Sequence, residues 1–163
     1  MSFLNILEPI LGNALLNMGG TVITRGTQPN RGVFELDNGV KIAPIICYES
    51  VYGEYVTEYI RNGAQLLAII TNDGWWSESQ GYKQHLSYSK IRSIETRRNI
   101  IRSANTGSSA IINKKGEIIN QLDYNIKGVI NAKAGVTNLV TVYVKYGDFI
   151  FRFSLFFFSV IVL

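Results

Sequence analysis

Lys41-Ile42-Ala43-Pro44-Ile45-Ile46-Cys47-Tyr48-Glu49-Ser50 and, further on, Gln65-Leu66-Leu67-Ala68-Ile69-Ile70-Thr71-Asn72-Asp73-Gly74 decide the fold. Each is a short apolar run that stops abruptly in polar turn residues, the pattern of a buried strand. Between them Tyr52 to Arg61 reads as a helix that ends at Asn62-Gly63. Strand, helix, strand is an α/β unit, with Cys47 at the end of its first strand. Pro44 has no N–H to give to a sheet ladder, so the early part of that strand is expected at an edge or in an irregular stretch.

Downstream, Gln84 to Arg98 reads as a helix with Tyr88, Ile91 and Ile94 on one side. Asn99 to Ser103 and Ser109 to Asn113 are strand-like, and Lys114-Lys115-Gly116 turns the chain into Glu117 to Leu122. Upstream, Asp37-Asn38-Gly39 is a strong hairpin signal. It follows strand-like stretches over Thr21–Thr24 and Gly32–Leu36, which flank the turn Gln28-Pro29-Asn30-Arg31. Phe3 to Leu16 approximates helical spacing with Pro9 interrupting it and Gly19-Gly20 ending it, which predicts two short helical turns. The alternation predicts an α/β layered sandwich, with its one boundary near Gly147-Asp148.

A chain of 163 residues is long enough for one domain with a core. It is 47% hydrophobic and 17% charged, against about 25% charged in typical soluble domains, which excludes a disordered chain. A formal charge of +4 suits an anionic partner such as nucleic acid or phospholipid headgroups, but weakly. One cysteine excludes an intrachain disulfide framework and a multi-cysteine zinc site, and one histidine gives too few ligands for a histidine-rich centre. No metal or cofactor is implied.

Met1 to Gly20 lacks a basic start and contains Glu8, so it does not read as a secretory signal. Phe149 to Leu163 is apolar except for Arg152, Ser154 and Ser159. A spanning helix needs about 20 apolar residues. Even so, Phe156-Phe157-Phe158 sits in a run with no polar face, which is hard to hide at the end of a small domain. The expectation is a membrane helix that is cut off by the chain end.

A cysteine where a buried strand gives way to a polar loop can present its sulfur at the carboxyl edge of the sheet, where α/β proteins bind ligands. A lone cysteine is also often an inert buried hydrophobe, and both readings stay open on residue chemistry alone. Glu49 either faces the sulfur as a proton-handling group or caps the helix after Ser50. His85, the single imidazole, is either a base for Cys47 or a helix-start cap, and no Asn or Asp that would orient it is identifiable. Trp75 and Trp76 either line a pocket or pack in a turn. Arg92, Arg97, Arg98 and Arg102 around Glu95 read as ion pairs rather than a phosphate site, and no nucleic-acid motif accompanies them.

Several linked motifs have a family likeness: Ala43-Pro44-Ile45-Ile46-Cys47-Tyr48-Glu49-Ser50, Thr71-Asn72-Asp73-Gly74-Trp75-Trp76, Gln84-His85-Leu86, Arg92-Ser93-Ile94-Glu95-Thr96-Arg97-Arg98, and Arg102-Ser103-Ala104-Asn105-Thr106-Gly107. With Asn113-Lys114-Lys115-Gly116 and Tyr146-Gly147-Asp148 they cover nearly the whole chain, and in that order they resemble the apolipoprotein N-acyltransferase family of the nitrilase (carbon-nitrogen hydrolase) superfamily. The resemblance implies an α/β fold, part of a nitrilase-type α-β-β-α sandwich over residues 1–147. Residues 148–163 would then begin a C-terminal transmembrane helix.

It implies that Cys47 is the nucleophile, that the backbone N–H of Tyr48 serves the oxyanion, and that Glu49 is a supporting carboxylate. The implied chemistry takes a fatty acyl chain from phospholipid as a thioester and passes it to the amine of a diacylglyceryl-cysteine lipoprotein, with Trp75 and Trp76 near the substrate. The implied partners are phospholipid, lipoprotein and a bacterial inner membrane, with the domain on the periplasmic side and no nucleic acid. The family's catalytic Glu and Lys fall upstream of the position matching Met1, so this chain alone is expected to be inactive, and Lys41 is not their match. A soluble nitrilase or amidase-like hydrolase and a non-catalytic lipid-binding remnant are the alternatives.

Overall fold

The computed structural model describes residues 28–162. The helical turns expected over 3–16 and the strand expected over 21–24 lie outside them. Two residues, Phe34–Glu35, form β1. The Asp37-Asn38-Gly39 turn returns the chain into β2, Lys41–Ile46, with Leu36 N donating to Val40 O at 2.9 Å. A 3-10 turn over Cys47–Val51 leads to α1, Gly53–Arg61, and then to β3, Leu66–Thr71. A second 3-10 turn, Gly74–Trp76, precedes α2, Gln80–Thr96. The strands β4 (Ile100–Ala104), β5 (Ser109–Ile112) and β6 (Ile118–Leu122) follow, and then α3 (Val142–Tyr146) and α4 (Phe149–Val162).

The strands form one six-stranded sheet in chain order. β2, β3 and β4 run parallel, in the register Ile45↔Ile69 and Ile69↔Arg102, while β1, β5 and β6 add antiparallel edges. Parallel pairing puts the ends of β2 and β3 side by side, so the residues after them meet. β1 pairs only with Lys41 and Ile42, so it is the early part of β2 that is flanked on both sides, contrary to the expectation from Pro44; from Pro44 onward no strand among the described residues lies on that side, and the missing N–H leaves no gap in a described ladder.

One face of the sheet, through Ala43, Ile45, Leu67, Ile69, Ile100 and Ile112, buries against Val56, Tyr59 and Ile60 of α1, Leu86 of α2 and Val144 of α3. The other face is open among the described residues, with Ile46, Ile70 and Ile101 all exposed. The described part is therefore one helix-on-sheet half of the sandwich that the sequence predicts.

One expectation needs correction. The α2 helix begins a turn earlier than its apolar spacing suggests, because the Ser79 side chain accepts from Gly81 N at 3.2 Å and caps it. Its Tyr88, Ile91 and Ile94 side faces outward, and the side buried on the sheet is the polar one, with His85, Ser89, Arg92, Ser93 and Thr96. Arg98 explains how a charge tolerates that interior: it donates to the carbonyls of Ala64, Thr96 and Leu139, joining α2 to the strands and to the tail. Arg92 pairs with Glu95 one helical turn on, at 3.2 Å.

Every side chain of α4 is exposed. The helix meets the body through Glu54, whose Oε1 accepts from Asp148 N at 2.8 Å and from Arg152 Nη2 at 2.7 Å. Among the described residues no helix is long and apolar enough to cross a membrane.

Candidate active site

At the end of β2 the backbone leaves the sheet through Cys47, which adopts a left-handed φ of 51°. A non-glycine residue held there costs about 1–3 kcal/mol and persists only where its surroundings over-determine it. The half-buried sulfur lies beside the end of β3, 3.3 Å from Thr71 Oγ1. Thr71 Oγ1 also donates to Asp73 Oδ1 at 2.8 Å.

Asp73 is fully buried and is the hub of the site. Its Oδ1 accepts from His85 Nδ1 at 2.8 Å, and its Oδ2 pairs with Arg102 Nη2, a residue with a side chain equally shielded from water. Burial would raise the Asp73 carboxyl, but the His85 hydrogen bond and the Arg102 charge outweigh it and hold the carboxyl below its ordinary value. Gly107 (φ 125°) packs directly on this carboxylate, where an added Cβ would sit 2.6 Å from Oδ2. No larger residue fits that position.

His85, 2% exposed, turns its other nitrogen toward the nucleophile loop. Nε2 lies 3.2 Å from the Cys47 carbonyl oxygen and 3.0 Å from Ser50 Oγ, which itself donates to the same carbonyl at 2.9 Å. The imidazole thus addresses the backbone of Cys47, not its sulfur. Asp73 is its orienter, which sequence reasoning missed. The signal available was the register itself: two parallel strands that end in Cys-Tyr-Glu and Thr-Asn-Asp bring both segments to one edge.

Glu49 does not reach the sulfur as a hydrogen-bond partner. Its Oε2 accepts from Ile46 N at 2.8 Å and its Oε1 from the Tyr55 hydroxyl at 2.5 Å, so it clamps the turn that carries Cys47 onto α1. Burial and the Glu49 carboxylate push the Tyr55 phenol up.

Tyr48 sits in the first turn of the 3-10 helix, where amides have no partner inside the helix. Its ring stacks at 6.4 Å on Trp76 and 6.1 Å on His85, and Trp76 lies 5.4 Å from His85. The two tryptophans separate: Trp76 packs over the site, while Trp75 is 79% exposed. Two cavities flank the loop. One of about 660 Å³ is lined by Phe34, Pro44, Ile46, Glu49 and Tyr55, and one of about 120 Å³ by Tyr48, Trp76, His85 and Tyr88.

A buried carboxylate, imidazole and guanidinium behind a cysteine on a strained turn is an arrangement suited to presenting a thiol for covalent chemistry. The carbon-nitrogen hydrolase model matches residues 9–136. The chain is 41% identical over 103 residues to the apolipoprotein N-acyltransferase of Sinorhizobium fredii, and 37% identical over 110 residues to that of Nitrosomonas europaea. Those stretches are 63% and 68% of this chain but 19% and 22% of the relatives, so it spans about a fifth of their length. In shape it is similar to a carbon-nitrogen hydrolase from Helicobacter pylori, with a TM-score of 0.56 at 13% identity over 63% of this chain and 43% of that one.

Proposed function

Because the chain belongs to the carbon-nitrogen hydrolase family, we propose that it carries the nucleophile-bearing part of an apolipoprotein N-acyltransferase. In this reading Cys47 takes a fatty acyl chain from a phospholipid and gives it to the amino group of a diacylglyceryl-cysteine lipoprotein. The Cys47 thiolate attacks the ester carbonyl; a carbon–sulfur bond forms, the ester carbon–oxygen bond breaks, and the leaving alkoxide takes up a proton. The amine then attacks the thioester; a carbon–nitrogen bond forms, the carbon–sulfur bond breaks to return the thiolate, and the nitrogen gives up a proton that balances the one taken by the alkoxide. Splitting one transfer into two is the benefit of a covalent intermediate.

The Tyr48 N–H meets the oxyanion of each tetrahedral intermediate, and Glu49 supports the turn rather than taking the proton. Trp75 and Trp76 flank the substrate, and α4 enters the bilayer surface of a bacterial inner membrane, with the domain on its periplasmic side. The net charge of +4 favours anionic headgroups there.

The observation that carries this reading is the left-handed Cys47 at the carboxyl edge of parallel strands, in a chain 41% identical to a named acyltransferase. The test is intact-mass analysis after incubation with phospholipid vesicles, with a full-length relative as positive control. A fatty-acyl adduct that hydroxylamine removes, and that Cys47→Ser prevents, supports the proposal. An adduct that persists in Cys47→Ser refutes Cys47 as the acceptor.

A further inference from the structure

We propose that His85, oriented by Asp73, is a positioning residue for acyl transfer: it holds the carbonyl of Cys47 and so aims the Tyr48 N–H at the developing oxyanion. The inference rests on the reading of Cys47 as the acyl acceptor.

The Cys47–Tyr48 peptide is a single rigid plane in which the C=O and the N–H point in opposite directions. Whatever fixes the carbonyl therefore fixes the amide. The carbonyl is fixed from behind by two buried groups, Ser50 Oγ at 2.9 Å and His85 Nε2 at 3.2 Å. The imidazole is itself held at Nδ1 by Asp73, which is held by Arg102 and Thr71. A carbonyl only accepts, so the ring holds it through a hydrogen on Nε2, an assignment made from the acceptor inventory, while Nδ1 faces Asp73 at 2.8 Å and Arg102 Nη2 at 3.4 Å. That hydrogen is shared between the carbonyl at 3.2 Å and Ser50 Oγ at 3.0 Å, and Ser50 passes its own hydrogen to the same carbonyl.

Two features separate this role from that of a base. The imidazole addresses oxygen atoms, while the hydrogen-bond partner of the sulfur among the described residues is the Thr71 hydroxyl. The Cys47 turn is also left-handed, a conformation that relaxes unless something holds its peptide. A buried cation and carboxylate placed behind this peptide supply that hold, whereas helix–sheet packing needs no charge there.

The experiment compares His85→Gln with His85→Asn. The glutamine amide nitrogen reaches the place of Nε2 and still donates to the Cys47 carbonyl, while the asparagine nitrogen takes the place of Nδ1, keeps Asp73 and loses the carbonyl. Acylation is read as the burst of nitrophenolate from p-nitrophenyl butyrate, a probe whose leaving group needs no protonation. Alkylation by iodoacetamide, which develops no oxyanion, is read in parallel. Both are measured at one neutral pH, and the acylation rate is divided by the alkylation rate, so that any change in the reactivity of the sulfur itself cancels.

His85→Asn is expected to lose acylation on the order of 100-fold, as for a lost oxyanion donor, with alkylation unchanged. His85→Gln is expected to retain most of both. Ser50→Ala, which removes the second donor to the same carbonyl, is expected to lower acylation in the same direction and by less, and it decides the matter if His85→Asn does not fold. The proposal is overturned if His85→Asn acylates like wild type. It is overturned equally if both His85 variants lose acylation and alkylation together, as removal of a base or a collapse of the turn would give. A wild-type chain that alkylates at Cys47 but gives no burst removes the acyl-acceptor reading instead, and the positioning role with it.

Discussion

His85 Nδ1 and Asp73 Oδ1 meet at 2.8 Å, both out of contact with water, across a loop that carries two tryptophans and a helix cap. The pair links the ends of two parallel strands to the first turns of α2. Together with Arg102 it makes the nucleophile loop a buried polar assembly instead of a surface turn.

Asp73 is expected to govern the acid limit of stability. Its carboxyl is held below the ordinary aspartate value, so its contribution is full above that value and is lost as pH falls through the depressed one. Asp73→Asn leaves Arg102 and His85 without their anion and is expected to cost about 3–5 kcal/mol at neutral pH. Urea midpoints followed from pH 7 downward should then fall less steeply in Asp73→Asn than in wild type. Parallel slopes would show that another group sets the acid limit.

Gly107 tests the same carboxylate from its other side. Its φ of 125° and the 2.6 Å approach of a built Cβ to Asp73 Oδ2 act together, so Gly107→Ala is expected to destabilise by more than about 2 kcal/mol and to slow acylation at Cys47. Gly39→Ala is the control: φ is 77° but nothing lies within 4 Å of the added Cβ, so only the backbone cost of about 1–2 kcal/mol applies. Equal losses in thermal denaturation would mean that the contact with Asp73 carries no weight.

Glu49 is expected to matter through geometry. Glu49→Ala frees both Ile46 N and the Tyr55 hydroxyl, and Tyr55→Phe removes only the second bond, so losses of about 1–3 and about 1 kcal/mol are expected in that order. Acylation by the aryl ester should fall with stability and its pH profile should keep its shape. A shifted profile in Glu49→Ala would instead assign the carboxylate a direct part in proton transfer.

The strands were legible in the sequence because apolar runs bounded by turn residues admit few alternatives, as for Lys41–Ile46 and Leu66–Thr71. The orientation of α2 was not legible. Its apolar side, Tyr88, Ile91 and Ile94, points outward because the sheet beneath carries Asp73 and Arg102, and those demand polar partners from the helix. Periodicity records where apolar residues lie, not which face a charge network claims. Cys47 was legible as a strand-end residue, and Glu49 as its neighbour. The part played by Asp73 was not, since Asn-Asp-Gly after a strand reads first as a turn.

The α4 helix carries the last prediction. Fourteen residues span about 21 Å, short of a bilayer crossing, yet all its side chains are exposed, and its hold on the body is the Glu54 carboxylate. The Arg152–Glu54 pair is itself solvent-exposed and contributes at most about 1 kcal/mol. The body should therefore keep its cooperative urea transition when residues 149–163 are removed. Association with anionic vesicles, measured by flotation, should instead fall sharply. Phe157→Asp in the intact chain should weaken flotation on the order of 100-fold, as a charge set among apolar, membrane-facing positions does. Tyr88→Asp on the outward side of α2 should not. Flotation that survives both the deletion and Phe157→Asp would move the membrane contact from α4 to the open sheet face around Ile46 and Ile70.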